Sequence, residues 1–194
     1  MAKKSNRNTR GRIVSAAWKL FYEQGYEDTT VEEIIELSGT SKGSFYHYFD
    51  GKDALLSTLS SLFDEKYEEL TGLLTPEMTA MEQLLFLNRE LFHMIEDSIS
   101  LDLLARLYST QLTTNGEKHL LDHNRIYYKL LRKIIAKGQS EGQLSSRSNV
   151  NEMVKLYALC ERALLYDWCL CAGEYALTEY RAKVLPGFLS SFLP

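Results

Sequence analysis

Apolar residues recur three and four positions apart along almost the whole of this 194-residue chain, with no stretch of strand-like alternation. That spacing stacks side chains on one face of an α-helix, so the pattern predicts an all-α protein. Ile13, Ala16, Ala17, Leu20 and Phe21 mark a first helix that Gly25 ends, with Tyr26 packing beneath it. A second begins at Thr29 or Thr30, whose hydroxyls can accept from free backbone N–H groups, with Glu32 and Glu33 in its first turn facing the positive helix end. Val31, Ile34 and Ile35 share its apolar face. At Ser38-Gly39 the chain turns a corner for which Gly39 can supply left-handed backbone. Thr40 or Ser41 then caps a third, short helix that turns Phe45, Tyr48 and Phe49 inward and Gly43, Tyr46 and His47 outward.

Beyond Lys52 the leucines from Leu55 to Leu74, with Phe63 and Tyr67, predict one continuous amphipathic helix. Asp50 would cap it and Thr75-Pro76 would stop it, making a stiff lever out of the short-helix region. Thr79 and Glu82 have capping-box spacing and open a helix through Met94. Ser98 or Ser100 begins the next, the polar connection TTNGEK follows, and a long helix is expected from about Glu117 to Gln139. A loop rich in Gly, Ser and Asn leads to Asn149, which starts a helix reaching about Ala172 and ended by Gly173. Thr178 begins the last helix, which Pro186-Gly187 should kink or interrupt.

Two helices joined by a glycine corner form a helix-turn-helix, and a helix of this kind fits a DNA major groove about 12 Å wide. The residue types suit that use. Gly43 has no side chain to hold the helix off a duplex, while Thr40, Ser41 and Lys42 offer donors to phosphate near a positive helix end. Tyr46, Tyr48 and Lys52 can reach the sugar-phosphate backbone; Lys42, Ser44 and His47 are candidates for reading bases; Thr29 and Thr30 complete the candidate contact set.

The run SKGSFYHYFDGK, with FYEQGYEDTTVEEI upstream, resembles the recognition-helix region of the tetracycline-repressor (TetR) family of bacterial regulators. The resemblance covers about the first 60 residues, where Lys-Gly, Phe-Tyr-x-Tyr-Phe and the trailing Lys fall in register. It departs at Ile35 and Leu37, where the family often has alanine, and at Thr40, where valine is usual. It implies three small DNA-binding helices in residues 1–52 and a helical ligand-binding and dimerisation bundle in residues 53–194. It further implies that the last two helices pair with a second copy, which would present two recognition helices to a palindromic operator. Their apolar positions, including Leu156, Leu159, Cys160, Ala163, Leu164, Trp168, Val184, Leu185, Phe188, Leu189, Phe192 and Leu193, cover too wide an arc for one neighbour.

Charge sharpens the picture. The chain carries a net −4, yet Lys3, Lys4, Arg7, Arg10, Arg12 and Lys19 precede the first acidic residue, Glu23. A basic arm on an acidic body suits a protein that meets phosphate at one end. No stretch approaches the roughly 20 apolar residues of a membrane span and the basic start is no secretory signal, so a cytoplasmic location is expected. Cys160, Cys169 and Cys171 read as reduced core or interface residues. His119 and His123 sit one turn apart, but HLLDH lacks the Glu of a zinc-protease helix, so no metal and no cofactor is expected.

Neither a GxSxG elbow nor a phosphate loop occurs, so an enzyme is not expected, although a helical enzyme without a cofactor motif and a DNA binder without a ligand remain the rival readings. Arg106, Glu161 and Arg162 form a candidate structural ion-pair set inside the bundle. For a small-molecule effector of unknown identity the candidate pocket residues are Phe63, Tyr67, Phe86, Tyr108, Tyr127, Tyr157 and Trp168, apolar bodies with a few polar tips. The sequence reading is therefore a homodimeric transcriptional regulator, a repressor that a ligand releases from its operator.

Overall fold

The computed structural model describes residues 2–113 and 118–194, with side chains from residue 9 onward. The side chains of Lys3, Lys4 and Arg7 in the expected arm, and residues 114–117 of the TTNGEK connection, lie outside the described residues. Among the described residues the fold is all-α, with ten α-helices, two short 3-10 turns and no strand.

The N-terminal three helices are α1 (Ala2–Gln24), α2 (Val31–Ser38) and α3 (Lys42–Tyr48). Each end follows from local chemistry. Gly25, at φ +89, ends α1. Thr30 and Glu33 exchange side-chain and backbone bonds in a complete capping box that starts α2. Gly39, at φ 60 and ψ 37, turns the corner, and the following N–H of Thr40 returns to the Ile35 carbonyl. Ser41 caps α3 by accepting from the Ser44 N–H at 3.1 Å. Ile13, Ala17, Phe21, Ile34, Phe45 and Phe49 are buried between the three helices, as the periodicity requires.

The long lever is corrected: the structure divides it into α4 (Lys52–Leu56) and α5 (Leu59–Thr71), with Gly51 rather than Asp50 preceding α4. The break lies at Ser57-Thr58. Their hydroxyls donate to the Ala54 and Leu55 carbonyls at 2.7 and 2.6 Å, and the Thr58 N–H also turns back to Leu55 O. Such bonds compete with the regular helical ladder and tighten it locally. The Trp18 indole N–H of α1 donates to Thr58 Oγ1 at 2.8 Å, so the break is pinned to the first helix.

The remaining helices are α6 (Ala80–Ser98), α7 (Leu101–Thr113), α8 (Ile126–Ser140), α9 (Val150–Leu170) and α10 (Leu177–Leu189). Thr79 and Glu82 form the expected capping box of α6. The helix expected from Glu117 starts only at Ile126, because Asp122 accepts the Asn124 N–H at 2.8 Å and turns the chain after a 3-10 turn over His119–Leu121. At its other end α9 stops through Ala172 and Gly173, both at positive φ. Pro186 lies inside α10, which continues past it to Leu189.

Two long-range contacts lock the bundle. Glu96 of α6 caps α10 from outside, accepting from the N–H groups of Leu177 and Thr178 at 2.8 and 3.1 Å and from the Thr178 hydroxyl at 2.7 Å. Gly138 of α8 lets that helix meet the start of α6, since a Cβ there would lie 2.6 Å from the Ala80 methyl and 2.8 Å from Leu144. Gly138→Ala, although it favours helix locally, should therefore destabilise the chain by about 1–3 kcal/mol through overpacking. Denaturant unfolding checks this, and an unchanged or raised midpoint would show that the contact relaxes freely.

Candidate DNA-binding face and ligand cavity

On α3 the side turned from the core carries Ser41, Lys42, Gly43, Tyr46 and His47, all exposed, with Ser44 half-buried beside them. Ser41 and Ser44 share a hydrogen bond at 2.9 Å, and Lys42 pairs with Glu32 of α2 at 3.3 Å while lying over the Tyr46 ring. An exposed pair of this kind contributes only about 0–1 kcal/mol, so Lys42 can exchange Glu32 for another anion at little cost. Around Gly43 the chain has room: a Cβ would meet nothing closer than Ser41 Oγ at 4.0 Å. Internal packing does not demand glycine there, whereas close approach by an external surface would.

Five expected contact residues sit differently. Thr29 is buried, its hydroxyl donating to Gly25 O at 2.7 Å. Thr30 is engaged in the α2 capping box, Thr40 shares a 2.7 Å hydrogen bond with Ser38, and Tyr48 is half-buried against the His47 ring. Lys52 departs furthest. Its ammonium donates to the carbonyls of Tyr26, Thr29 and Glu27 at 2.6, 2.8 and 3.2 Å, so all three of its N–H donors are directed into the turn between α1 and α2.

That turn is also where the N-terminal helices meet the bundle. The Lys52 ammonium lies 4.3 Å from the Tyr26 ring centre, and the Arg106 guanidinium of α7 lies 4.8 Å from it. Arg106 pairs with Glu27 in the turn and with Asp102 one helical turn back at 2.9 Å. The Tyr26 hydroxyl donates to Asp53, and burial together with that carboxylate raises its pKa. Arg106 thus grips the N-terminal helices and does not belong to the ion-pair set expected with Glu161 and Arg162.

Within the bundle a cavity of about 50 Å³ opens between α5, α6, α7, α8 and α9. Phe63, Tyr67, Tyr108 and Tyr127 line it, four of the seven residues expected from sequence. The other three do not. Tyr157 lies alongside with its hydroxyl donating to Leu84 O at 2.8 Å. Phe86 is half-buried under the Arg89 guanidinium, and Trp168 holds the α9–α10 turn by donating to Tyr175 O at 2.9 Å. The remaining wall is Leu91, Ile95, Leu120 and Leu165, with Arg125, Glu161 and Arg162.

Those three charged residues were not singled out as pocket wall by periodicity. The signal was present for Glu161, which stands four residues after Tyr157 and three before Leu164 on the inward face of α9. It is 4% exposed and accepts from Tyr127 OH at 2.5 Å and Asn88 Nδ2 at 2.8 Å. Burial raises its pKa, opposed by those hydrogen bonds. Arg125 is held bidentately by Asp64 at 3.0 and 3.1 Å and also bonds Ser60 O. Arg162 donates to Tyr128 OH at 3.3 Å. The Tyr67 hydroxyl is buried without a hydrogen-bond partner.

The last two helices split the apolar set expected for pairing. Cys160, Leu164, Trp168, Leu185, Leu189 and Phe192 are buried in the chain's own core. Leu156, Leu159, Ala163 and Leu193 of that set are exposed, and Tyr166 and Leu170, outside it, extend the first three along α9 at spacings of three and four, with Leu159 at 53% and Leu170 at 66%. Beside them on α10 run Tyr180, half-buried Val184 and Phe188, and Gly187, over which a Cβ would meet nothing within 4 Å. The Cys160 and Cys169 thiols are pushed up to about 11 by burial, which leaves them weak nucleophiles. Among the described residues no three His, Cys, Asp or Glu side chains converge as a metal site, and no helix is long and apolar enough to cross a membrane.

Comparison with known proteins agrees with this geometry. Residues 13–59 match the family of bacterial regulatory proteins, tetR family. Over 62 residues the chain is 36% identical to the HTH-type transcriptional regulator QacR of Staphylococcus aureus, a match covering 32% of this chain and 33% of that protein. The chain spans a third or less of the length of the first curated relatives it matches, which share 29%, 22% and 33% of their own lengths with it. The likeness in fold runs further. Thermus thermophilus FadR, a TetR-family transcriptional repressor solved with lauroyl-CoA, superposes with a TM-score of 0.75 at 26% identity over 95% of both chains. Bacillus subtilis FadR, solved with stearoyl-CoA, gives 0.71 at 21% identity over 94% of this chain and 99% of that one.

The geometry around Lys52 predicts a structural phenotype. Lys52→Met leaves three carbonyls without their charged donor and should destabilise the N-terminal helices by about 1.5–3 kcal/mol. Unfolding followed by Trp18 fluorescence in the Trp168→Phe background measures this. A change confined to the salt dependence of DNA binding, with stability intact, would restore Lys52 to the phosphate-contact set.

Proposed function

We propose that this chain, whose N-terminal domain is that of the tetR family of bacterial regulatory proteins, is a homodimeric transcriptional repressor that a small molecule releases from its operator. Residues 1–52 form the DNA-binding domain and residues 53–194 the ligand-binding and dimerisation domain, acting in the cytoplasm where the operator is. The observation that carries the reading is the conjunction of an exposed, glycine-bearing α3 at a capped corner with an unpaired apolar seam on α9 and α10. Exposed leucines spaced three and four apart are what a helix presents to a second helix. A second copy laid on that seam generates a two-fold axis, and with it two recognition helices for two half-sites. Ser41, Lys42, Gly43, Ser44, Tyr46 and His47 are the contact set best placed for DNA, with Thr40 and Tyr48 at its margin.

Release needs a route from cavity to corner, and α7 supplies one. Tyr108 lines the cavity while Arg106, two residues earlier, grips Tyr26 and Glu27. Drug-sized ligands occupy about 300–1,000 Å³, so a cavity of about 50 Å³ must widen to admit one. Displacing Tyr108 would carry Arg106 with it and pull on the turn that orients α3. Differential affinity of about 1–3 kcal/mol between the two states gives 5- to 150-fold release.

Selection of bound duplexes from random DNA should recover a palindrome with half-sites about one helical turn apart, and light scattering should give a dimer. Leu159→Asp with Leu170→Asp should yield monomers that bind the selected site at least tenfold more weakly, each tenfold corresponding to about 1.4 kcal/mol. A wild-type monomer, or indifference to sequence, overturns the proposal.

Arg106→Ala separates coupling from binding. It should keep operator affinity within about threefold, less than 1 kcal/mol, and blunt release by an effector that still binds. Full release from the variant would place the coupling elsewhere.

A further inference from the structure

Buried carboxylates in folded proteins are matched by a cation or the site is costly. Glu161 breaks that pattern. Its bonded partners are the neutral Asn88 amide and Tyr127 hydroxyl, with the Tyr157 hydroxyl also within bonding reach, and among the described residues no Lys, Arg or His comes within ion-pair distance of it, Arg162 acting on it only through its field. Two guanidiniums stand near and are turned to other acceptors. Arg162 donates to Tyr128 OH at 3.3 Å, and Arg181 donates weakly to Leu85 O and Asn88 Oδ1 at 3.4 and 3.5 Å, its Nε unpartnered. Arg125, which with Arg162 is a cation of the cavity wall, is neutralised bidentately by Asp64.

A second observation points into the same space. The Tyr67 hydroxyl is fully enclosed, lines the cavity and has no hydrogen-bond partner. Around it stand the rings of Phe63, Tyr108 and Tyr127, with Tyr67 and Tyr127 tilted at a centroid distance of 5.0 Å. Aromatic faces attract a cation, and a carboxylate, with about four lone-pair sites, retains room for a further donor beside the three neutral groups around it.

Resting on the reading of this chain as a ligand-released repressor, we infer that the effector is an organic cation, a protonated amine on an apolar or aromatic frame. Its N–H groups bond Glu161 and the Tyr67 oxygen, and its charge lies among the rings of Phe63, Tyr108 and Tyr127. The amine supplies the direct ion pair that Glu161 lacks, and its apolar frame displaces the cavity wall toward Leu91, Ile95 and Leu165.

The test uses the full chain and three probes of one shape and different charge: hexylamine, hexanoate and 1-hexanol. Thermal midpoint and affinity for the selected operator are read at equal probe concentration near pH 7. Hexylamine should raise the midpoint and weaken operator binding, with an apparent affinity at least tenfold above that of hexanol, and hexanoate should rank last. In Glu161→Gln the preference for amine over alcohol should fall to within about threefold, while the response to hexanol is kept as a check on the cavity. Tyr67→Phe, which removes an unpartnered hydroxyl and should fold at least as well as the parent, should also lose amine affinity, which keeps the inference testable if Glu161→Gln is unstable. Equal ranking of amine and alcohol in the parent overturns the inference. So does release by hexanoate or by an acyl-CoA, which would leave the repressor reading standing with an anionic effector. If no probe of any charge binds, the inference falls and palindrome selection alone decides the repressor reading.

Discussion

The grip on the turn between α1 and α2 is the constraint on which the rest of the structure depends. That turn exposes carbonyls that no helix can satisfy, and a single ammonium, from Lys52, satisfies three of them. The same side chain and Arg106 flank the Tyr26 ring, so one aromatic residue is held by cations from both the short α4 and the bundle helix α7. Cation–ring contacts of this kind are worth about 0.5–2 kcal/mol each. They are strong enough to fix orientation and weak enough to be exchanged. The partly exposed pairs of Arg106 with Glu27 and Asp102 are similarly modest. An N-terminal helix set mounted this way is held by several individually modest contacts, and on the proposed reading that suits a switch between two helix spacings.

The divided lever changes how motion passes through the molecule. A single rod from Leu55 to Leu74 would move as one body and sweep the N-terminal helices with it. The structure instead places a tightened turn at Ser57-Thr58 and ties it to Trp18 of α1. α5 can then follow the cavity, since it carries Phe63 and Tyr67, while α4 stays with the DNA-binding end through Lys52. Motion has two entry points into the N-terminal domain, the Thr58 joint and the Arg106 grip, and both sit on helices that also wall the cavity.

Much of this was legible in the sequence because it is local. The Thr30–Glu33 and Thr79–Glu82 boxes, the Gly39 corner and the Ser41 cap are written within four residues of the positions they control, and the structure shows each of them. The helical period separated inward from outward on α3 for the same reason. What escaped is non-local or turns on competition between similar options. Apolar spacing is continuous through Ser57-Thr58, so only the side-chain bonds that form there reveal a break. The α10 cap comes from Glu96, some eighty residues earlier in the chain, and nothing near Leu177 announces it. Lys52 matched a family position for which a phosphate contact was the natural reading, but its reach back to residues 26–29 depends on where the packing of α4 against α7 places it. In the cavity, aromatic residues at helical spacing could not be sorted by periodicity alone. Phe63, Tyr67, Tyr108 and Tyr127 converge because three helices, α5, α7 and α8, bring them together, whereas Phe86 and Trp168, equally aromatic, pack outside.

The small size of the cavity and the composition of its wall bear on each other. It offers about 50 Å³, enough for one or two waters. A void that small in an apolar wall would usually be filled by a slightly larger side chain, because packed interiors tolerate few gaps. Here the wall includes a buried carboxylate held only by neutral donors and a tyrosine hydroxyl with nothing to bond. Leaving such groups enclosed costs about 1–3 kcal/mol apiece. A fold selected for stability alone would do better with leucine and phenylalanine at those positions. Their persistence in the resting state therefore narrows the gap between the closed form and any form in which they are satisfied. On the proposed reading, a ligand that satisfies them needs only a modest difference in affinity between the two forms to move α7 and, through Arg106, the turn behind α3.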